Sequence, residues 1–157
     1  MTAVNDAIAS DLATMARVVP VPIGDLGYGR DLSCVTDVTD DLREIDPNSP
    51  LGIAESSARR LGTPRGSLIE DPDYGLDLRG YANRATPQRR LTELAGQIRD
   101  ELRKDDRVTD ATVTVSFAPR TETLLVEAML SPADPAVDTF SLVLSVSSGG
   151  VLVEAVS

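Results

Sequence analysis

Residues 86–117 read TPQRRLTELAGQIRDELRKDDRVTDATVTVSF, and within them the hydrophobic period changes once. Up to residue 103 the apolar positions Leu91, Leu94, Ala95, Ile98 and Leu102 recur at helical spacing. Arg89, Arg90, Glu93, Arg99, Asp100 and Arg103 take the opposite face. From residue 111 the period is two: Ala111, Val113, Val115 and Phe117 alternate with Thr112, Thr114 and Ser116. The helix has its start signal in Thr86-Pro87. Burying each large member of its stripe is worth roughly 1.5–3 kcal/mol, more than any propensity term, so the helix must dock on something. The strands that follow supply that surface.

Downstream, the turn Pro119-Arg120-Thr121 leads to Leu124, Val126, Ala128 and Leu130. Phe140, Leu142, Leu144 and Val146 then alternate in residues 139–147, and Ser147-Ser148-Gly149-Gly150 turns the chain into VLVEAV. Upstream, Ser49-Pro50 caps a helix carrying Leu51, Ala54, Ala58 and Leu61, with Gly62 placed to close it in a left-handed conformation. A second, shorter helix is expected from about Asp73, burying Tyr74, Leu78 and Tyr81. The class is α+β: two or three helices, then a three- to four-stranded antiparallel meander on which they pack.

Two regions follow from this reading. Residues 31–157 form the domain, and residues 1–30 an N-terminal extension. Val4, Ala7, Ile8, Leu12, Met15 and Ala16 predict a short amphipathic helix; VVPVPIGDLGYG, residues 18–29, reads as an extended arm.

Composition narrows the chemistry. The formal charge is −10, with 10 acids against 3 bases in residues 1–57, and aromatics are 3% with no Trp. Neither a phosphate-binding surface nor base stacking is expected, so no nucleic-acid partner. The absence of His and the single Cys34 exclude a disulfide within the chain, a Ser-His or Cys-His pair and an ordinary zinc site. No apolar run reaches membrane-spanning length, and no secretory signal pattern opens the sequence, so a membrane partner is not expected. Asp37, Asp40, Asp41 and Glu44 read as a solvated acidic face.

Three places retain functional interest. Asp71, Asp73 and Asp77 form an acidic run that a small divalent-metal enzyme would use, but acids around Pro72 equally cap turns. Asp105, Asp106 and Arg107 lie where the long helix meets the first strand, as a partner contact or as an ordinary helix-end ion pair. Leu142-Val143-Leu144 and Val151-Leu152-Val153 place apolar side chains on both faces of weakly charged strands. Either both faces are covered within the monomer, or a partner adds a strand at the edge, through Phe140, Leu142, Val143, Leu144, Val146, Val151 and Val153. A cytosolic adaptor binding through such an edge is a further reading.

The segment 50–147 also carries an ordered set of motifs. Thr63 ends a helix, Gly66-Ser67 makes a turn, and Asp71-Pro72-Asp73-Tyr74-Gly75-Leu76-Asp77-Leu78 precedes the helix entered at Thr86-Pro87. Asp105-Asp106-Arg107 and Thr123-Leu124-Leu125-Val126-Glu127 follow. This order resembles the baseplate wedge proteins of contractile phage tails, the sheath initiators, which also occur in related contractile injection systems. In that family a Glu-Pro-Arg motif stands where this chain has Asp105-Asp106-Arg107, with Asp106 replacing the Pro. The resemblance implies a structural, non-enzymatic virion protein without cofactor or metal. It would be made in the host cytoplasm and placed in the inner baseplate near tube and hub proteins, one copy per wedge of a symmetric ring. It further implies that Arg107 and its neighbours contact the core bundle of the wedge proteins. The sheet would accept strands from the first ring of the tail sheath protein.

Overall fold

Ser49 sets the first helix. Its backbone is extended, its hydroxyl accepts the Gly52 N–H at 3.1 Å, and Pro50 opens the helix where no donor is needed. In the computed structural model, which describes residues 31–33, 44–82 and 87–157, this helix α1 spans Pro50–Gly62. A four-residue helix α2 (Arg79–Ala82) follows, and then the long helix α3 (Gln88–Leu102). The strands are β1 (Asp31–Leu32) and β2 (Glu44–Ile45), paired with each other, and β3 (Val108–Ala118), β4 (Thr123–Pro132), β5 (Phe140–Ser147) and β6 (Gly150–Val156).

β3 to β6 form one antiparallel sheet in sequence order, a plain meander. Its strands alternate as expected: Leu124, Val126, Ala128, Leu130, Phe140, Leu142, Leu144 and Val146 all point to one face and are buried. The three helices among the described residues lie on that face, α3 against β3 and α1 against β6, so the class is α+β with two layers. Leu91, Leu94, Ile98 and Leu102 of α3 meet Ile53, Ala54 and Leu61 of α1 and Leu78 in one continuous core. No described helix is long and apolar enough to cross a membrane.

Three local expectations are corrected. The short helix begins at Arg79 rather than near Asp73. Gly75 has φ +100, and the N–H groups of Leu76 and Leu78 are turned back onto Arg60 O (3.1 Å) and Leu61 O (3.0 Å), so residues 73–78 cannot be helical. Gly62 is not left-handed: α1 ends at an extended Thr63, and the returning loop satisfies its last carbonyls. Pro87 is the cap position of α3 without a side-chain bond. Thr86, Cys34, Asp37, Asp40, Asp41, the expected helix at 4–16 and the arm at 18–29 lie outside the described residues.

Candidate functional site

The loop 63–78 folds onto the end of α1 and is clamped by a carboxylate that the helical pattern does not reveal. Glu101, on the inward side of α3, is 1% exposed. It accepts the Gly75 N–H at 2.9 Å and Arg60 Nη1 at 3.2 Å on Oε1, and Arg65 Nη2 and Lys104 Nζ at 2.8 and 2.9 Å on Oε2. Burial alone pushes this carboxyl up; the bonds from Lys104, the Gly75 N–H and Arg60 outweigh it and hold the group below its usual value. Lys104 also donates to Asp73 O, and Arg60 stacks over the Tyr74 ring at 4.2 Å. A methyl at Gly75 would sit 2.3 Å from Thr63 O, so this position needs glycine on both conformational and steric grounds.

The other motif residues do similar local work. Thr63 Oγ1 donates to Arg59 O, and Gly66 (φ +81) turns the chain between Pro64 and Ser67. Asp71 O accepts Tyr74 N–H across Pro72. Asp71 and Asp73 are exposed, whereas Asp77 forms a two-point pair with Arg79, which lowers its pKa. Among the described residues no three His, Cys, Asp or Glu side chains gather as a metal site would. The Asp71, Asp73, Asp77 run is therefore not assembled into a ligand set.

Asp105 and Arg107 also turn out to be internal. Their side chains are 12% and 13% exposed and pair bidentately, Nε to Oδ1 at 2.9 Å and Nη2 to Oδ2 at 2.6 Å. Arg107 further donates to Pro47 O at 2.8 Å and Ser56 Oγ at 2.6 Å. The guanidinium thus ties the start of β3 to α1 and to the segment before it. Burial raises the Asp105 pKa, and the stronger pull of the Arg107 bonds leaves it lowered. The ion pair expected here is present, but it is internal rather than on the surface, and the Arg107 donors are engaged inside the chain. Asp106 alone of the three is exposed.

The sheet edge gives the clearest open site. β5 is an inner strand, paired with β4 on one side and β6 on the other, so its backbone cannot accept an added strand. Phe140, Leu142, Leu144 and Val146 are moreover buried in the core, and only Val143 of that set faces the sheet's other side. That part of the strand-addition expectation is corrected. Among the described residues the edges are β3 and β6, and β3 carries Asp110 near its start, opposite Ser131. β6 carries a single charge, Glu154, at a bulge opposite Val143 and Leu144.

The phase of β6 is fixed by its end. Ser141 and Ser157 exchange both backbone bonds, at 2.6 and 3.0 Å. Counting back through the register and the bulge, Ala155, Leu152 and Gly150 bond to β5, while Val151, Val153 and Val156 turn their N–H and C=O outward. Among the described residues no backbone group meets them. Beside this edge lies an open groove of about 350 Å³, walled by Ala58, Arg59 and Gly62 of α1 and by residues 150–153. Consecutive residues of β6 line it, so it runs along the strand's side rather than over one face. The sheet's second face is uncovered among the described residues: Met129 is 57% and Leu152 61% exposed, with Leu125 and Val143 half-buried between them.

No protein-family model matches this chain, and no curated protein matches it.

Proposed function

We propose that this chain is a structural component of the inner baseplate of a contractile phage tail or a related injection machine. On this reading it joins wedge proteins to the first sheath ring by accepting a strand at β6. The observation that carries the reading is the outward row of backbone groups at Val151 and Val153, beside an open groove on an edge with one charge. The ordered motifs of residues 50–147 supply the family. A strand bonded along this row gains roughly 0.5–1.5 kcal/mol per hydrogen bond. Pulling along the strand loads those bonds together, as a contracting sheath would require.

Of the cluster 105–107, Asp106 faces outward, so a wedge contact at this corner would run through it, with the Asp105–Arg107 pair setting the shape beneath. The test is Val153→Pro, which deletes one outward N–H and is tolerated at an edge. Circular dichroism should remain native while sheath polymerisation from the baseplate is lost. Unchanged polymerisation would refute strand addition at β6. An adaptor using the same edge would show the same loss toward a different partner, and neighbouring genes for sheath, tube and wedge proteins separate the two.

A further inference from the structure

Among the described residues β3 is a second open edge of the sheet. Its phase follows from the same fixed pair, Ser141 and Ser157. Ser141 bonds on the β6 side, so Leu142 turns its backbone groups to β4, where it meets Ala128. Glu127 and Met129 then turn to β3 and meet Thr114 and Thr112. Ala111, Val113, Val115 and Phe117 are left with N–H and C=O directed away from the sheet, and among the described residues no hydrogen bond reaches these groups. This row has no bulge, and between Asp110 and Ala118 it carries neither a charge nor a proline. Long edges are normally blunted by one or the other.

The row is complementary to itself. A two-fold axis through Thr114 is the antiparallel register that employs every residue of it: Val113 exchanges both bonds with Val115 of a second copy, and Ala111 with that copy's Phe117. On the core side this sets the smallest residue of the row against the largest. On the other face it sets Thr114 against Thr114 and Thr112 against Ser116, exposed hydroxyls that bond across strands. Asp110 meets Ala118, so no like charges face each other in the paired strands. Space for the large residue is already present. A groove of about 340 Å³ runs along the open side of residues 110–113, walled by Thr92, Ala95, Gly96 and Arg99 of α3. A Cβ built at Gly96 would meet nothing within 4 Å. Phe117 of the second copy, opposite Ala111 on the helix side of the sheet, arrives at this groove.

We propose that the β3 edges of two copies of this chain pair antiparallel about Thr114, with Phe117 of each seated against Ala111 and Gly96 of the other. One sheet then runs through both copies and leaves a β6 edge free at each end. The inference uses the edge opposite to the one in the baseplate reading and does not rest on that reading.

Sedimentation velocity on the full chain, with no other protein present, should show a monomer–dimer equilibrium. Cysteine cross-linking in a Cys34→Ser background reads the register. Thr114→Cys places two thiols at a non-bonded pair with Cα atoms about 4.5 Å apart, within disulfide reach, and oxidation should join the copies. Thr112→Cys, also exposed, lies roughly 14 Å from its counterpart and should stay unlinked. Val113→Pro deletes an outward donor from each copy and should weaken association by about thirtyfold, the equivalent of two lost hydrogen bonds, with native circular dichroism. Val153→Pro, on β6, should leave association unchanged. A monomer at every concentration would overturn the proposal, as would Thr112→Cys linking as readily as Thr114→Cys, or equal weakening by the two prolines. The cysteine pair decides whether or not Val113→Pro folds. Because no sheath protein is present, failure here is distinct from failure of the assembly assay.

Discussion

Replacing Glu101 by Gln removes a charge while keeping the shape of the side chain, and the structure sets the expected cost. Arg60 is 13% exposed and would lose its counter-charge, although its guanidinium keeps the Tyr74 ring. The Gly75 N–H would bond a neutral amide oxygen instead of a carboxylate. Arg65 and Lys104 are 53% and 41% exposed, so water replaces most of what they lose. Breaking one buried pair costs about 3–5 kcal/mol, and the amide retains a part of the hydrogen bonding, which places the change near ~3 kcal/mol. In urea, with a slope of ~1.5 kcal/mol per M, the midpoint should fall by about 2 M with the slope unchanged. A shift below about 0.3 M would show that the loop 63–78 is not held by Glu101.

Other consequences follow from the same contacts. Arg107→Ala should lower stability by about 3 kcal/mol, because it strands Asp105 in a 12%-exposed position, and Arg107→Lys should rescue little since one ammonium cannot reach Asp105, Pro47 and Ser56 together; thermal melting reads both. Gly75→Ala should cost more than about 3 kcal/mol, adding a clash with Thr63 O to a left-handed backbone, whereas Gly66→Ala, with open space around it, should cost about 1 kcal/mol. The Glu101, Asp105 and Asp77 pKa values are all lowered on folding, so their contribution is complete above the unfolded values near 4 and is lost as pH falls through the folded ones. With no His, stability should stay flat from about pH 8 down to about pH 5 and decline as the pH falls further. Asp105→Asn should flatten that acid limb, a comparison in which the changing net charge largely cancels.

The elements with a single strong period were readable without coordinates. Leu91, Leu94, Ile98 and Leu102 announce α3, and the alternations around Val113, Val126 and Leu144 announce a meander, because burial on one face writes a period into the sequence. What stayed hidden depends on contacts between distant residues. Tyr74, Leu78 and Tyr81 do fall at near-helical spacing, but the carbonyls of Arg60 and Leu61 at the end of α1 claim the backbone of Leu76 and Leu78 first. Glu101 looks like one more charge on an amphipathic helix; its sign appears only when Arg60, Arg65 and the Gly75 N–H arrive from 26 to 41 residues away. One clue lay in its place beside Ile98 and Leu102, at the margin of the apolar stripe. Arg107 is hidden in another way. A basic residue at a helix–strand junction reads equally as a partner contact or a helix-end ion pair, and neither reading shows that Pro47 and Ser56 take its donors. The expected edge strand was placed across β5 and β6 together because Leu142-Val143-Leu144 and Val151-Leu152-Val153 look alike, and pairing order is invisible in either. Val151 and Val153 are the part of that expectation that remains at an edge.

The account turns on whose backbone lies along β6 when the protein is at work. A density map of the assembled tail, at a resolution that traces main chain, measures this directly. The account predicts a strand continuous with a first-ring sheath subunit, bonded to the outward groups of Val151 and Val153. A β6 edge that faces solvent in the assembled particle while the sheath touches another surface would contradict it.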